Sequence, residues 1–119
     1  MVRVMIVDDS SIIRSSLTKI LRECGYTVVG AAADGKEAIK MYEVLKPDLV
    51  TMDITMPVMG GVDALKIIRS RFKDAKVIMV TSHGEERLVM DAISSGAKGF
   101  VLKPITTDKI QAAVSKVFP

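Results

Sequence analysis

Apolar positions along this chain follow two different rhythms. Five short runs of consecutive apolar, partly β-branched residues occur at Arg3–Val7, Thr27–Ala33, Asp48–Met52, Lys76–Val80 and Gly99–Leu102. Runs of this length, bounded by turn formers, read as strands buried on both faces. Between them the apolar residues recur every three or four positions. Ile13, Leu17, Ile20, Leu21 and Cys24 form one stripe; Ala38, Tyr42 and Leu45 form the next. Leu65, Ile68 and Phe72 form a third, Leu88, Val89, Ala92 and Ile93 a fourth, and Ile110, Ala113, Val114 and Val117 a fifth. Each stripe predicts an amphipathic helix.

Start and stop signals agree with this division. Gly25 and Gly96 follow the first and fourth stripes as C-terminal stops, and Lys46-Pro47 ends the second. Asp34 with Glu37, and Ser82 with Glu85, have the spacing of capping boxes, and Thr106 or Thr107 is placed to cap the last helix. Five strands alternating with five helices predict an α/β fold: a parallel sheet covered on both faces by right-handed crossovers. Such sheets bind ligands at the carboxyl ends of their strands.

Those ends are where the polar residues fall. The first run stops in Asp8-Asp9, the third in Asp53, the fourth in Thr81 and the fifth in Lys103-Pro104. Only the second lacks a polar terminus. Adjacent carboxylates resist joint ionisation unless a cation neutralises them. Oxygen ligands with no His or Cys nearby suit Mg²⁺, with Mn²⁺ as the other candidate. Capping of the following helix is the competing reading of Asp8 and Asp9. Three carboxylates around a divalent cation would leave one free to act as a nucleophile toward phosphorus, with Thr81 and Lys103 as donors to the phosphoryl oxygens.

Composition narrows the alternatives. With 119 residues, 49% of them hydrophobic and 4% aromatic, the chain is sized for one domain spanning 1–119 with an aliphatic core. No apolar run is long enough for a membrane-spanning helix and no secretory signal opens the chain, so neither a membrane nor export is expected. Cys24, the single cysteine, is expected as a small buried hydrophobe in a reducing cytoplasm. The net charge of +3 and pI near 9.1 do not point to nucleic acid, because the Lys and Arg residues are scattered singly over every helix. A phosphate-binding Gly-rich loop is absent, and the one histidine, His83, cannot build an imidazole metal site.

Taken together, Val7-Asp8-Asp9, Met52-Asp53-Ile54-Thr55-Met56-Pro57, Gly61, Val80-Thr81-Ser82 and Val101-Leu102-Lys103-Pro104 resemble the receiver domain of two-component response regulators. The resemblance covers the whole chain and is strongest to the single-domain chemotaxis regulators. Gly35, after the second strand, and Gly96-Ala97, before the fifth, also match the family. The resemblance implies a flavodoxin-like (βα)5 fold with strand order 2-1-3-4-5. It implies that Asp53 accepts a phosphoryl group from a sensor histidine kinase, and that the protein is a switch catalysing only its own phosphotransfer and dephosphorylation, not an enzyme acting on other substrates. Asp9, Asp53 and the backbone carbonyl of Thr55 would bind Mg²⁺, with Asp8 acting directly or through water. Thr81 and Lys103 would hold the phosphoryl oxygens, and Lys103-Pro104 would be cis. Thr81 and Phe100 would form the switch beneath an output face for a downstream protein effector.

Three positions depart from the chemotaxis pattern. Phe100 stands where tyrosine is common, so its inward state should be well populated before phosphorylation, with no hydroxyl to bury. Gly60 replaces a usual Asn or Asp, and His83 lies two residues beyond Thr81, where the family's side chain overhangs the site. Two other functions fit the sequence less well. A flavodoxin-type cofactor binder would find its phosphate repelled by Asp8-Asp9, and an aspartate phosphatase would place its nucleophile on strand one. A receiver cut from a longer DNA-binding regulator shares every motif above.

Overall fold

A computed structural model describes residues 1–119. Strands β1 (Arg3–Val7), β2 (Thr27–Ala32), β3 (Leu49–Asp53), β4 (Val77–Thr81) and β5 (Gly99–Leu102) alternate with helices α1 (Ser11–Glu23), α2 (Gly35–Leu45), α3 (Gly61–Arg71), α4 (Glu86–Ser94) and α5 (Thr107–Val117). The strands form one parallel sheet in the order β2-β1-β3-β4-β5, as expected. No helix is long and apolar enough to cross a membrane.

Strand alternation divides the core into two layers. Met5, Val7, Val50, Met52, Val77 and Met79 point to the face covered by α2, α3 and α4, where they meet Ala38, Leu65, Ile68 and Ala92. Val4, Ile6, Leu49, Ile78 and Val101 point to the other face and pack on Leu17 and Leu21 of α1 and on Ile110 and Val114 of α5. β3 and β4 are buried along their whole length, so their last residues are fixed by a packed sheet rather than by a loop.

The caps refine the sequence reading. Asp34 accepts from the Glu37 N–H at 2.8 Å, the forward half of the expected box. Thr106, not Thr107, caps α5 by accepting from the Lys109 N–H. The box at Ser82–Glu85 forms only its reach-back half, Glu85 Oε1 accepting from the Ser82 N–H, and starts no helix there: α4 begins at Glu86, with Glu85 as an N-cap residue that makes no side-chain cap bond. The Glu85 carboxylate also has other partners, described below. Cys24 is the half-buried C-cap of α1 rather than a core residue. The α4 stripe is only partly covered: Val89 and Ala92 are buried, whereas Leu88 and Ile93 remain exposed.

Candidate phosphoacceptor site

The strand ends converge on one edge of the sheet. Val7 of β1 pairs with Met52 of β3, Asp53 with Val80 of β4, and Thr81 with Leu102 of β5. This register brings Asp8, Asp9, Asp53, Thr81 and Lys103 to a common rim. One carboxylate oxygen from each of Asp8, Asp9 and Asp53 lies within 4.8 Å of the others. Asp8 is fully buried, Asp53 is 5% exposed, and Asp9 is exposed.

Asp8 is the most firmly held of the three. Its N–H donates to the Ala32 carbonyl at 3.0 Å, its Oδ1 accepts from the Ser10 N–H at 2.9 Å, and its carbonyl accepts from Arg14 Nη1 at 2.8 Å. The N-cap of α1 is Ser10, whose hydroxyl accepts from the Ile13 N–H. Neither Asp8 nor Asp9 fills that role, so the capping alternative for the acidic pair is not realised. Sequence reading overlooked Ser10, although a serine just before an apolar stripe is a strong cap signal.

Lys103 reaches between the buried carboxylates. Its ammonium lies 3.3 Å from Asp8 Oδ2 and 3.4 Å from Asp53 Oδ1. The first contact is an ion pair without hydrogen-bond alignment, which leaves Asp8 Oδ2 buried with no hydrogen-bond donor. Burial disfavours the charged form of Lys103, but Asp53 and Asp8 outweigh it and raise its pKa. One ammonium cannot neutralise three acids. Burial, and then the charge of Asp8, push Asp53 up to about 7, against the lowering effect of Lys103. An all-oxygen donor set with excess negative charge and an unfilled buried acceptor fits a hard divalent cation.

The loop after β3 is shaped by close backbone approach. A Cβ at Gly61 would lie 1.9 Å from the Asp53 carbonyl oxygen, so only glycine fits, and the Gly61 N–H donates to the Ile54 carbonyl at 2.8 Å. No backbone N–H takes the Thr55 carbonyl, which leaves that oxygen available as a ligand. Gly60 is the N-cap of α3 and offers no side-chain bond. Val58 has φ +68°, a left-handed conformation that is costly for a β-branched residue. Lys103-Pro104 is cis.

Thr81 is buried, but its hydroxyl points to another partner. It donates to Glu85 Oε1 at 3.0 Å, with the Ser82 carbonyl at 3.3 Å. The same carboxylate accepts from the Ser82 N–H at 2.6 Å and from the Thr55 hydroxyl at 2.5 Å. Burial would raise the Glu85 pKa, but the bonds from Thr55, Ser82 and Thr81 outweigh it and lower it. Glu85 was legible in the sequence only as a helix-cap acid. The missed signal is its place one helical turn after Thr81.

Phe100 is 53% exposed, so the ring lies outward in this arrangement. It borders a cleft shared with Thr81, His83, Val89, Met90 and Leu102. His83 is exposed on the rim of that cleft and is not among the acidic cluster.

Comparison with known proteins agrees with this geometry. Residues 4–115 match the response regulator receiver domain. The chain is 45% identical over 115 residues to the chemotaxis protein CheY of Thermotoga maritima, covering 97% of this chain and 96% of that protein. It is 48% identical over 117 residues to a Bacillus subtilis protein named CcdB, covering 98% of each. A crystal structure of a CheX-CheY-BeF3-Mg complex from Borrelia burgdorferi contains a chain that superposes with a TM-score of 0.94 at 41% identity, covering 99% of this chain and 90% of that one. With the family's strand order, acidic rim and sequence motifs all present, the chain belongs to the response regulator receiver domain family of two-component signal transduction.

Proposed function

We propose that this receiver accepts a phosphoryl group on Asp53 from the phosphohistidine of a sensor histidine kinase, with Mg²⁺, and signals to a protein effector of chemotaxis. The observation that carries the reading is Asp53 itself: a nearly buried carboxylate at a strand end, within 4.8 Å of two more acids and in contact with one lysine. In the transfer, an Asp53 carboxylate oxygen attacks phosphorus. The P–N bond to imidazole breaks, its electron pair returns to the ring nitrogen, and a P–O bond forms.

Asp8, Asp9, Asp53 and the Thr55 carbonyl would hold the cation. Bound there, Mg²⁺ would screen the clustered carboxylates and the charge of the incoming group. Lys103 supplies an ammonium for the phosphoryl oxygens once Asp53 has become an acyl phosphate, and Thr81 supplies a hydroxyl. The output would travel through Thr81 to the cleft beside it and on to Phe100. Met90 and Ile93 of α4 flank Phe100, and all three are exposed, an apolar surface suited to a protein partner. The test is incubation with a small phosphodonor and Mg²⁺. The intact mass should rise by one phosphoryl group, chelation of the cation should prevent the gain, and no gain under either condition refutes the reading.

A further inference from the structure

Thr81 carries one hydroxyl proton and can donate it to one strong acceptor at a time. Here that acceptor is Glu85, whose carboxylate also ties down the Ser82 N–H and the Thr55 hydroxyl. Thr55 lies two residues after Asp53, on the loop from β3, and Thr81 closes β4. Glu85 therefore staples the loops on both sides of the site while occupying the threonine that a phosphoryl oxygen would need. Its own charge is held by three donors, and bonds of this kind to an ionised acceptor are about twice as strong as neutral ones. An arriving phosphoryl group must take the Thr81 proton from Glu85 and do so in the field of that anion.

Resting on the phosphoacceptor reading above, we propose that Glu85 is a latch that holds Thr81 in the unphosphorylated arrangement and sets how readily the site accepts and retains a phosphoryl group. It is a positioning residue, acting through Thr81 rather than on phosphorus. The device follows from this chain's own sequence: an acid one turn beyond the threonine, whose carboxylate is free for the task because Glu85, the N-cap residue of α4, makes no side-chain cap bond to that helix. Removing the latch leaves the Thr81 hydroxyl free to turn to the phosphoryl oxygen. It also frees the Thr55 loop from its tether to β4, while Asp8, Asp53 and Lys103 keep their own contacts.

The test is affinity for beryllofluoride, a stable stand-in for the phosphoryl group on a carboxylate, at saturating Mg²⁺. It is measured by calorimetry or NMR titration on the full chain. Glu85→Ala should tighten binding on the order of tenfold, the equivalent of one charge-assisted hydrogen bond released. Glu85→Gln, which keeps a neutral acceptor, should tighten it less, and it serves as the measurement if the alanine variant is unstable. In a Thr81→Ala background the gain from Glu85→Ala should largely vanish, because the two residues act through one bond. Unchanged or weaker binding in Glu85→Ala overturns the latch. An equal gain with and without Thr81 overturns it too, since only the field of the charge would then matter. If the wild type binds no beryllofluoride, the reading of Asp53 fails and the latch falls with it; binding by the wild type that Asp53→Asn abolishes separates the two outcomes.

Discussion

Replacing Asp53 by Asn should stabilise the cation-free protein, and the gain should depend on pH. In the fold the Asp53 pKa is about 7, against 3.8 for an ordinary aspartate, because burial and the Asp8 charge oppose ionisation. A carboxylate whose folded pKa is raised binds its proton more tightly in the folded state. The stability this gives is complete below about pH 3.8 and is lost as pH climbs to about 7. Each pH unit of displacement corresponds to about 1.4 kcal/mol, so ~4 kcal/mol is the ceiling on the cost of the fully ionised form. The amide gives part of this back, because it loses the charge-assisted contact with Lys103, although Lys103 retains Asp8 at 3.3 Å. We expect Asp53→Asn to be more stable than wild type by about 1–3 kcal/mol at pH 8. The difference should shrink steadily toward pH 4. Urea denaturation of both proteins across this range, in chelator, measures it. Mg²⁺ should narrow the difference at pH 8 by stabilising the wild type more. A difference that is flat with pH, or a variant less stable than wild type at pH 8, would refute the electrostatic account.

Other outcomes follow from single contacts. Val58 is 78% exposed and left-handed, so Val58→Asn sacrifices little packing and should raise stability by about 1 kcal/mol, read as a higher denaturation midpoint. Ser10→Ala should cost about 1 kcal/mol through loss of the α1 cap, whereas Asp9→Asn should cost nothing in the absence of cation but weaken Mg²⁺ binding in a titration. Gly61→Ala should displace the Asp53 backbone and abolish phosphorylation even where the protein still folds, since the added methyl would sit 1.9 Å from the Asp53 carbonyl oxygen. Labelling of that variant at the wild-type rate would show that the close approach does not shape the site.

The architecture and the acidic rim were legible because both are periodic features of the chain. Buried parallel strands leave long apolar runs, and the residue that ends each run must stand at the sheet edge, whatever packs around it. Asp53, Thr81 and Lys103 are therefore fixed by counting. What the sequence concealed depends on competition between partners at short range. Glu85 and Ser10 both have cap-forming side chains. Only the three-dimensional arrangement shows that Ser10 takes the cap of α1, while Glu85 is captured by Thr55, Ser82 and Thr81. Phe100 raises a similar difficulty. Its missing hydroxyl removes a cost of burial, but its resting position also depends on how well β5 and α4 pack, and α4 leaves Leu88 and Ile93 exposed. A left-handed Val58 runs against propensity, and no sequence pattern announces it.

The claim on which the rest depends is that the phosphoryl group bonds to the Asp53 carboxylate. Borohydride reduces an aspartyl phosphate to homoserine and leaves free carboxylates and phosphoramidates of histidine unconverted, so the acceptor can be read by peptide mass spectrometry after phosphorylation in Mg²⁺. The account predicts homoserine at position 53 alone, absent without donor and absent in Asp53→Asn. Homoserine at position 8 or 9, or label retained on His83 with Asp53 unmodified, would contradict it.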